Sequence, residues 1–125
     1  MNRVFLFSGS VSGALAVAAG AFGAHALRGR LDARALEIYE VAVRYQVYHA
    51  LALLGVAAVA ARWPGAAQGA AGWLFIAGTV VFSGSLYAIS LGAPRWLGAL
   101  TPIGGVVFIA GWTALAVAAW RSPAS

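Results

Sequence analysis

Residues 4–27 read VFLFSGSVSGALAVAAGAFGAHAL, without a single Asp, Glu, Lys or Arg. These 24 residues give about 36 Å of α-helix at 1.5 Å per residue, enough to cross a hydrocarbon core of about 30 Å with some tilt. Three further apolar runs follow. Residues 45–61 end at Arg62-Trp63-Pro64-Gly65, residues 70–91 end at Gly92-Ala93-Pro94-Arg95, and residues 103–120 end at Arg121. Pro and Gly break a helix where its freed backbone groups can reach water or headgroups. Trp63, Trp73, Trp96 and Trp120 fall at or near the ends of runs, as an interfacial aromatic belt requires, while Trp112 lies near the middle of the last.

Composition agrees with four crossings. Of 125 residues, 62% are hydrophobic and 9% charged, against about a quarter charged in a soluble domain. With a mean hydropathy of +0.87, the chain has too few charges to cover a surface against water, so its solvent is mostly lipid. The expected fold is all-α: an integral membrane four-helix bundle forming one transmembrane domain over residues 1–125. The first run also imitates a signal peptide, with Arg3 before it and Ala24-His25-Ala26 as a small-x-small site. Its apolar stretch exceeds the roughly 7–15 residues of a signal core, so a retained helix is expected.

Between the first two runs, residues 32–44 predict a short amphipathic interfacial helix. Asp32 is a suitable N-cap. Leu36, Tyr39 and Val43 recur at helical spacing, and Glu37, Glu40 and Arg44 line another face. Glu40 and Arg44 are four apart in the favourable acid-first order. A plain extension of the second span fits the same periodicity.

The formal charge of +5 comes from eight arginines against three acids. Arg3, Arg28, Arg30, Arg34, Arg44, Arg62, Arg95 and Arg121 all sit between or beside apolar runs, where headgroup anchors belong. No basic stripe with interleaved aromatics suggests nucleic acid. Membrane lipids are the expected partners, with a second copy or another membrane protein as further candidates. Both termini share one side of the membrane. The loops on the other side carry five arginines (28, 30, 34, 44, 95) against three (3, 62, 121). The positive-inside rule then directs the loops to the cytoplasm and the termini outside.

Lipid tails are as apolar as Leu, so helices associate in the membrane through close backbone approach at small residues. Gly9, Gly13 and Gly20 in the first span, Gly84 in the third, and Gly104 and Gly105 in the fourth are the expected packing positions. They serve either one tight bundle or a homo-oligomer contact.

Polar side chains gather in the loop-side half. His25, Arg44, Gln46, His49, Ser83, Ser85, Tyr87 and Thr101 form the candidate cluster. An unsatisfied polar group in lipid costs several kcal/mol, on the order of that of a lost hydrogen bond or more. Inward orientation and a hydrogen-bonded network are therefore expected. Thr101 and Pro102 also suit the cap and first turn of the last helix.

Catalytic signatures are missing: there is no GxSxG elbow, Walker sequence or HExxH, and no base is identified beside Ser83 or Ser85. The protein is not expected to be an enzyme. The absence of Cys removes disulfides and thiolate sites. Two histidines on different spans permit bis-histidine haem ligation, but nothing else supports it, and two imidazoles fall short of a four-ligand metal site. No cofactor or metal is expected.

Four motifs occur in order: Gly20-Ala21-Phe22-Gly23-Ala24-His25, then Tyr45-Gln46 with His49-Ala50, then Phe82-Ser83-Gly84-Ser85-Leu86-Tyr87, then Thr101-Pro102-Ile103-Gly104-Gly105. Together they resemble domain-of-unknown-function family 423, small bacterial inner-membrane proteins that look related to eukaryotic transmembrane protein 256. The resemblance implies four membrane helices and a bacterial plasma-membrane location. It implies no catalytic residues, because the family has no established activity. The expected function is a structural or lipid- or partner-binding role. The alternative is a small-solute or proton transport element using His25, Gln46 and His49, histidine being the side chain that titrates near neutral pH.

Overall fold

The computed structural model of the protein describes residues 2–123. Four helices in it are long and apolar enough to cross a membrane, and no strand forms among the described residues. Helix α1 covers Asn2–Phe22 and runs on through one π-turn, Gly23–Leu27. Helix α2 is Ala33–Arg62. Helix α3 spans Ala66–Ser90 and contains a π-turn at Thr79–Ser83. Helix α4 spans Arg95–Arg121, opening with a 3₁₀ segment at Arg95–Ala99.

Helix α2 is capped as expected: Asp32 has extended backbone, and its carboxylate accepts from the Ala35 N–H at 2.7 Å. The interfacial segment at 32–44 is joined to the second span without a break. A 30-residue helix is about 45 Å long, so one end of α2 must project beyond the hydrocarbon core. The acidic residues of this first part, Glu37 and Glu40, are exposed. No ion pair joins Glu40 to Arg44 among the described contacts.

Seven of the ten buried positions on α2 alternate by three and four, Tyr39, Ala42, Gln46, His49, Leu53, Val56 and Ala60, with Ala50, Ala52 and Ala57 beside them. That 3.5-residue period keeps one seam facing its neighbours, as in left-handed helix packing. Helix α1 answers with Phe5, Gly9, Ser12, Ala16, Ala19 and Gly23, all buried or half-buried, at the same alternation. On α4 the series is Gly104, Phe108, Gly111, Leu115, Ala118. The helices pack in chain order, α1 on α2, α2 on α3 and α3 on α4. The π-turn in α3 changes its register. Buried residues step by three or four up to Gly78 and then by five to Ser83, which brings Ser83 round to α2. Thr79 returns its hydroxyl to the Phe75 carbonyl at 2.8 Å within this stretch, a bond that bends helices.

The apolar core joins Phe5, Leu53, Val56, Phe75 and Phe108 from all four helices. Its construction is aromatic on glycine. The Phe5 ring lies where a Gly72 side chain would be, Phe108 does the same at Gly78, Phe75 at Gly111, and Tyr39 at Gly23. Of the expected packing glycines, two are close backbone approaches. A Cβ on Gly104 would lie 2.6 Å from the Phe82 backbone nitrogen, and one on Gly9 would lie 2.9 Å from the Ala50 carbonyl oxygen. Gly13 and Gly20 allow ordinary contacts, at 3.9 and 3.5 Å. Gly105 only just meets the Phe82 ring, and Gly84 faces open space. Gly84 therefore takes no part in the packing of this bundle: no described residue packs there, because the π-turn rotates Ser83 and Ser85 inward and leaves Gly84 outside, which leaves the homo-oligomer contact as the alternative for this position.

The last helix begins earlier than expected. Its α-helical part starts at Leu100, and Ala99 at the cap position makes no side-chain bond. Thr101 lies inside the first turn, where its hydroxyl turns to α3. Pro102 is the third residue of the α-helical part, close to the junction with the 3₁₀ segment, where a residue without an N–H is tolerated. At the other end of the loop, α3 stops at Gly92, whose φ of 109° lies in the left-handed region that favours glycine.

Candidate functional site

The inward seam of α2 carries four consecutive groups that reach neighbouring helices. At the loop end, the Tyr39 hydroxyl donates to the Ala19 carbonyl of α1 at 2.6 Å. One turn on, the Ala42 carbonyl accepts from the Ser83 hydroxyl of α3 at 2.8 Å. Gln46 bridges both sides. Its Nε2 donates to the Ser12 carbonyl of α1 at 3.0 Å, and its Oε1 accepts from the Tyr87 hydroxyl of α3 at 2.6 Å. His49 reaches α4, its Nε2 lying 3.1 Å from the Trp112 indole nitrogen.

The hydrogen-bond directions at His49 fix its tautomer. An indole N–H can only donate, so Nε2 accepts and the ring proton sits on Nδ1. Nδ1 lies 2.8 Å from the Tyr45 carbonyl, which accepts that proton. Both ring nitrogens are therefore engaged by a neutral imidazole. The ring is stacked on Phe108 with centroids 3.5 Å apart and planes 6° from parallel. Between α3 and α4, the Ser85 and Thr101 hydroxyls lie 2.6 Å apart. Ser85 donates to the Phe82 carbonyl at 2.9 Å, so Thr101 supplies the proton of the hydroxyl pair.

Six of the eight sequence-predicted residues meet in this layer: Gln46, His49, Ser83, Ser85, Tyr87 and Thr101. His25 and Arg44 do not, and both are exposed. The reason is helical phase. Gly23 and Leu27 hold the inward face of the π-turn, leaving His25 between them on the outer side. Arg44 sits two residues from both Ala42 and Gln46, opposite the seam. The two histidines thus point away from one another's environments, one outside and one in the core.

Two members escaped sequence reading. Periodicity places Tyr39 on the apolar face of the predicted interfacial helix without a polar role, and Trp112 stands apart from the aromatic belt. The alternation of three and four from Tyr39 to Ala60 is the signal that finds Tyr39; Trp112 has no comparable sequence marker. A buried polar residue outside the layer, Gln68, lies at the opposite end of the membrane and closes the α2–α3 turn by donating to the Trp63 carbonyl.

Among the described residues, every buried side-chain nitrogen and oxygen has a partner. No group of three or more His, Cys, Asp or Glu comes together there. The layer carries no carboxylate, lysine or arginine and its one histidine is neutral, so its chemistry is that of neutral hydrogen bonds joining all four helices.

Four apolar spans tied by an uncharged polar layer define a multi-pass helical membrane protein. The chain belongs to the family described as protein of unknown function (DUF423), whose model matches residues 19–105. It is 46% identical over 118 residues to the UPF0382 membrane protein YwdK of Bacillus subtilis (strain 168), covering 94% of this chain and 96% of that protein. UPF0382 membrane proteins of Staphylococcus aureus (strain bovine RF122 / ET3-1) and Staphylococcus epidermidis (strain ATCC 35984) are 42% and 45% identical. Each match covers 71% of this chain and 72% of the relative. No solved structure matches the chain.

Proposed function

We propose that the protein is a non-enzymatic, non-conducting structural element of the bacterial inner membrane, acting through its contacts with lipids and neighbouring membrane proteins. The observation that carries this reading is the closed bonding of Gln46 and His49. A proton relay through histidine needs a ring nitrogen free to exchange with water or a neighbouring carrier. Here Nδ1 and Nε2 both face protein partners, and the amide of Gln46 is held at each end. Such groups act as interhelical ties.

Reconstitution into liposomes containing a pH-sensitive dye tests the reading. Proton flux equal to that of protein-free liposomes is the expected result. Flux above that level, abolished by His49→Phe in a variant that still folds, would transfer the polar layer to a transport pathway. The proposed orientation sets the loops in the cytoplasm, following their five arginines against three. Gly29, exposed and with open space around it, is a suitable labelling site. A cysteine introduced there should resist impermeant thiol reagents in intact cells, and ready labelling would reverse the orientation.

A further inference from the structure

A cavity lies away from the polar layer, on the loop side. It is an open cleft of about 740 Å³ between the α1–α2 loop, the first turns of α2, the end of α3 and the start of α4. Arg30 and Arg34 line it from one short stretch at the start of α2 and Arg95 from the start of α4, and Asp32 is the only acidic lining residue among the described residues. The Asp32 carboxylate is already engaged by the Ala35 N–H, capping α2. Three guanidiniums therefore face one committed carboxylate. The floor is apolar, with Ile38 of α2 and Ile89 of α3 both half-buried.

We propose that this cleft is a binding site for the headgroup of an anionic phospholipid. Planar guanidiniums present paired N–H donors that match phosphate oxygens. Their convergence on one cleft from two segments, the start of α2 and the start of α4, distinguishes it from single anchoring arginines such as Arg28, which is exposed on the same side but does not line it. The apolar floor selects a lipid over a free phosphate. Ile38 and Ile89 lie at the loop ends of α2 and α3, where the helices leave the hydrocarbon, so the glycerol and first acyl carbons follow the phosphate onto them. Basic pockets between membrane helices bind anionic headgroups in this way. The inference rests on the reading that lipids are this protein's partners.

Native mass spectrometry of the full chain in mild detergent tests the site, with dioleoylphosphatidylglycerol and dioleoylphosphatidylcholine offered at equal concentration. One phosphatidylglycerol should be retained in preference to phosphatidylcholine. Arg30→Gln, Arg34→Gln and Arg95→Gln should each weaken retention about fivefold, and together about a hundredfold. Arg28→Gln should leave it unchanged. All three target side chains are exposed, and circular dichroism checks that each variant folds. If the triple variant fails to fold, the three single variants are read instead. Equal retention of the two lipids, or an equal loss with Arg28→Gln, overturns the proposal in favour of diffuse attraction. Displacement of the lipid by millimolar inorganic phosphate would reassign the cleft to a soluble phosphate compound. Proton flux in liposomes would sink the structural reading without altering these lipid counts, so the two failures are distinguishable.

Discussion

The Trp112 indole nitrogen lies 3.1 Å from Nε2 of His49, on a helix that meets α2 through the aromatic side chains of Phe108 and Trp112. This bond spans the bundle from its central helix to its last one, and it fixes the imidazole as the neutral Nδ1–H tautomer. Stacking on Phe108 and an edge contact with Trp112 complete the surroundings of the ring.

His49→Phe keeps an aromatic ring in the stack but removes both hydrogen bonds. It should destabilise the protein by about 1–3 kcal/mol, because the Trp112 donor loses its partner and the Tyr45 carbonyl its second one. Trp112→Phe should cost less, since only Nε2 is left unpaired. The double variant gives the coupling, expected at about 0.6 kcal/mol and no more than about 1.7 for a bond between membrane helices. Unfolding by a denaturing detergent in mixed micelles supplies all three values. Zero coupling would show that the two side chains act independently.

Gln46 ties α2 to α1 and α3 with one side chain, which makes it the most consequential single residue of the layer. Gln46→Leu fits the apolar surroundings yet strands the Tyr87 hydroxyl, so a loss of about 1–3 kcal/mol is expected. Tyr87→Phe removes one of the two bonds and should cost about half as much on the same scale. Thermal unfolding in detergent, followed by circular dichroism, ranks the variants. A Tyr87→Phe loss larger than that of Gln46→Leu would contradict the bridging role.

How far the sequence reveals these relations depends on the kind of force involved. The four spans are legible because length and the absence of charge are one-dimensional properties. The polar layer is legible as a set of depths: Gln46, His49, Ser83, Ser85, Tyr87 and Thr101 were grouped by their distance from the loops, and the helices do bring them together. Depth says nothing of azimuth, however, and His25 and Arg44 share the depth while pointing outward. Azimuth follows from the heptad alternation on α2, which separates Arg44 from Gln46, and from the π-turns, which no local composition marks. The glycines show the same division. GxxxG spacing finds glycine facing backbone, as at Gly9, but not glycine facing an aromatic ring on another helix, as at Gly72 beneath Phe5.

Three glycines on the loop side of α3 and α4 provide the sharpest test of the packing. A Cβ at Gly104 meets the Phe82 backbone at 2.6–2.8 Å, and neither backbone can move aside without parting the helices. Gly104→Ala should therefore cost about 1–3 kcal/mol, the range for overpacking a fitted interior. Gly105→Ala finds its nearest atoms at 4.0 Å on the Phe82 ring and should be nearly neutral. Gly84→Ala has nothing within 4 Å and removes a helix-interior glycine, so it should hold or gain stability, by at most about 1 kcal/mol. Melting temperatures in detergent should fall in the order Gly84→Ala, Gly105→Ala, Gly104→Ala. Equal values for Gly104→Ala and Gly105→Ala would refute the close approach of α3 and α4. A loss at Gly84→Ala in the native membrane that disappears in the detergent-isolated monomer would locate a contact from another molecule, because the described residues leave that face empty.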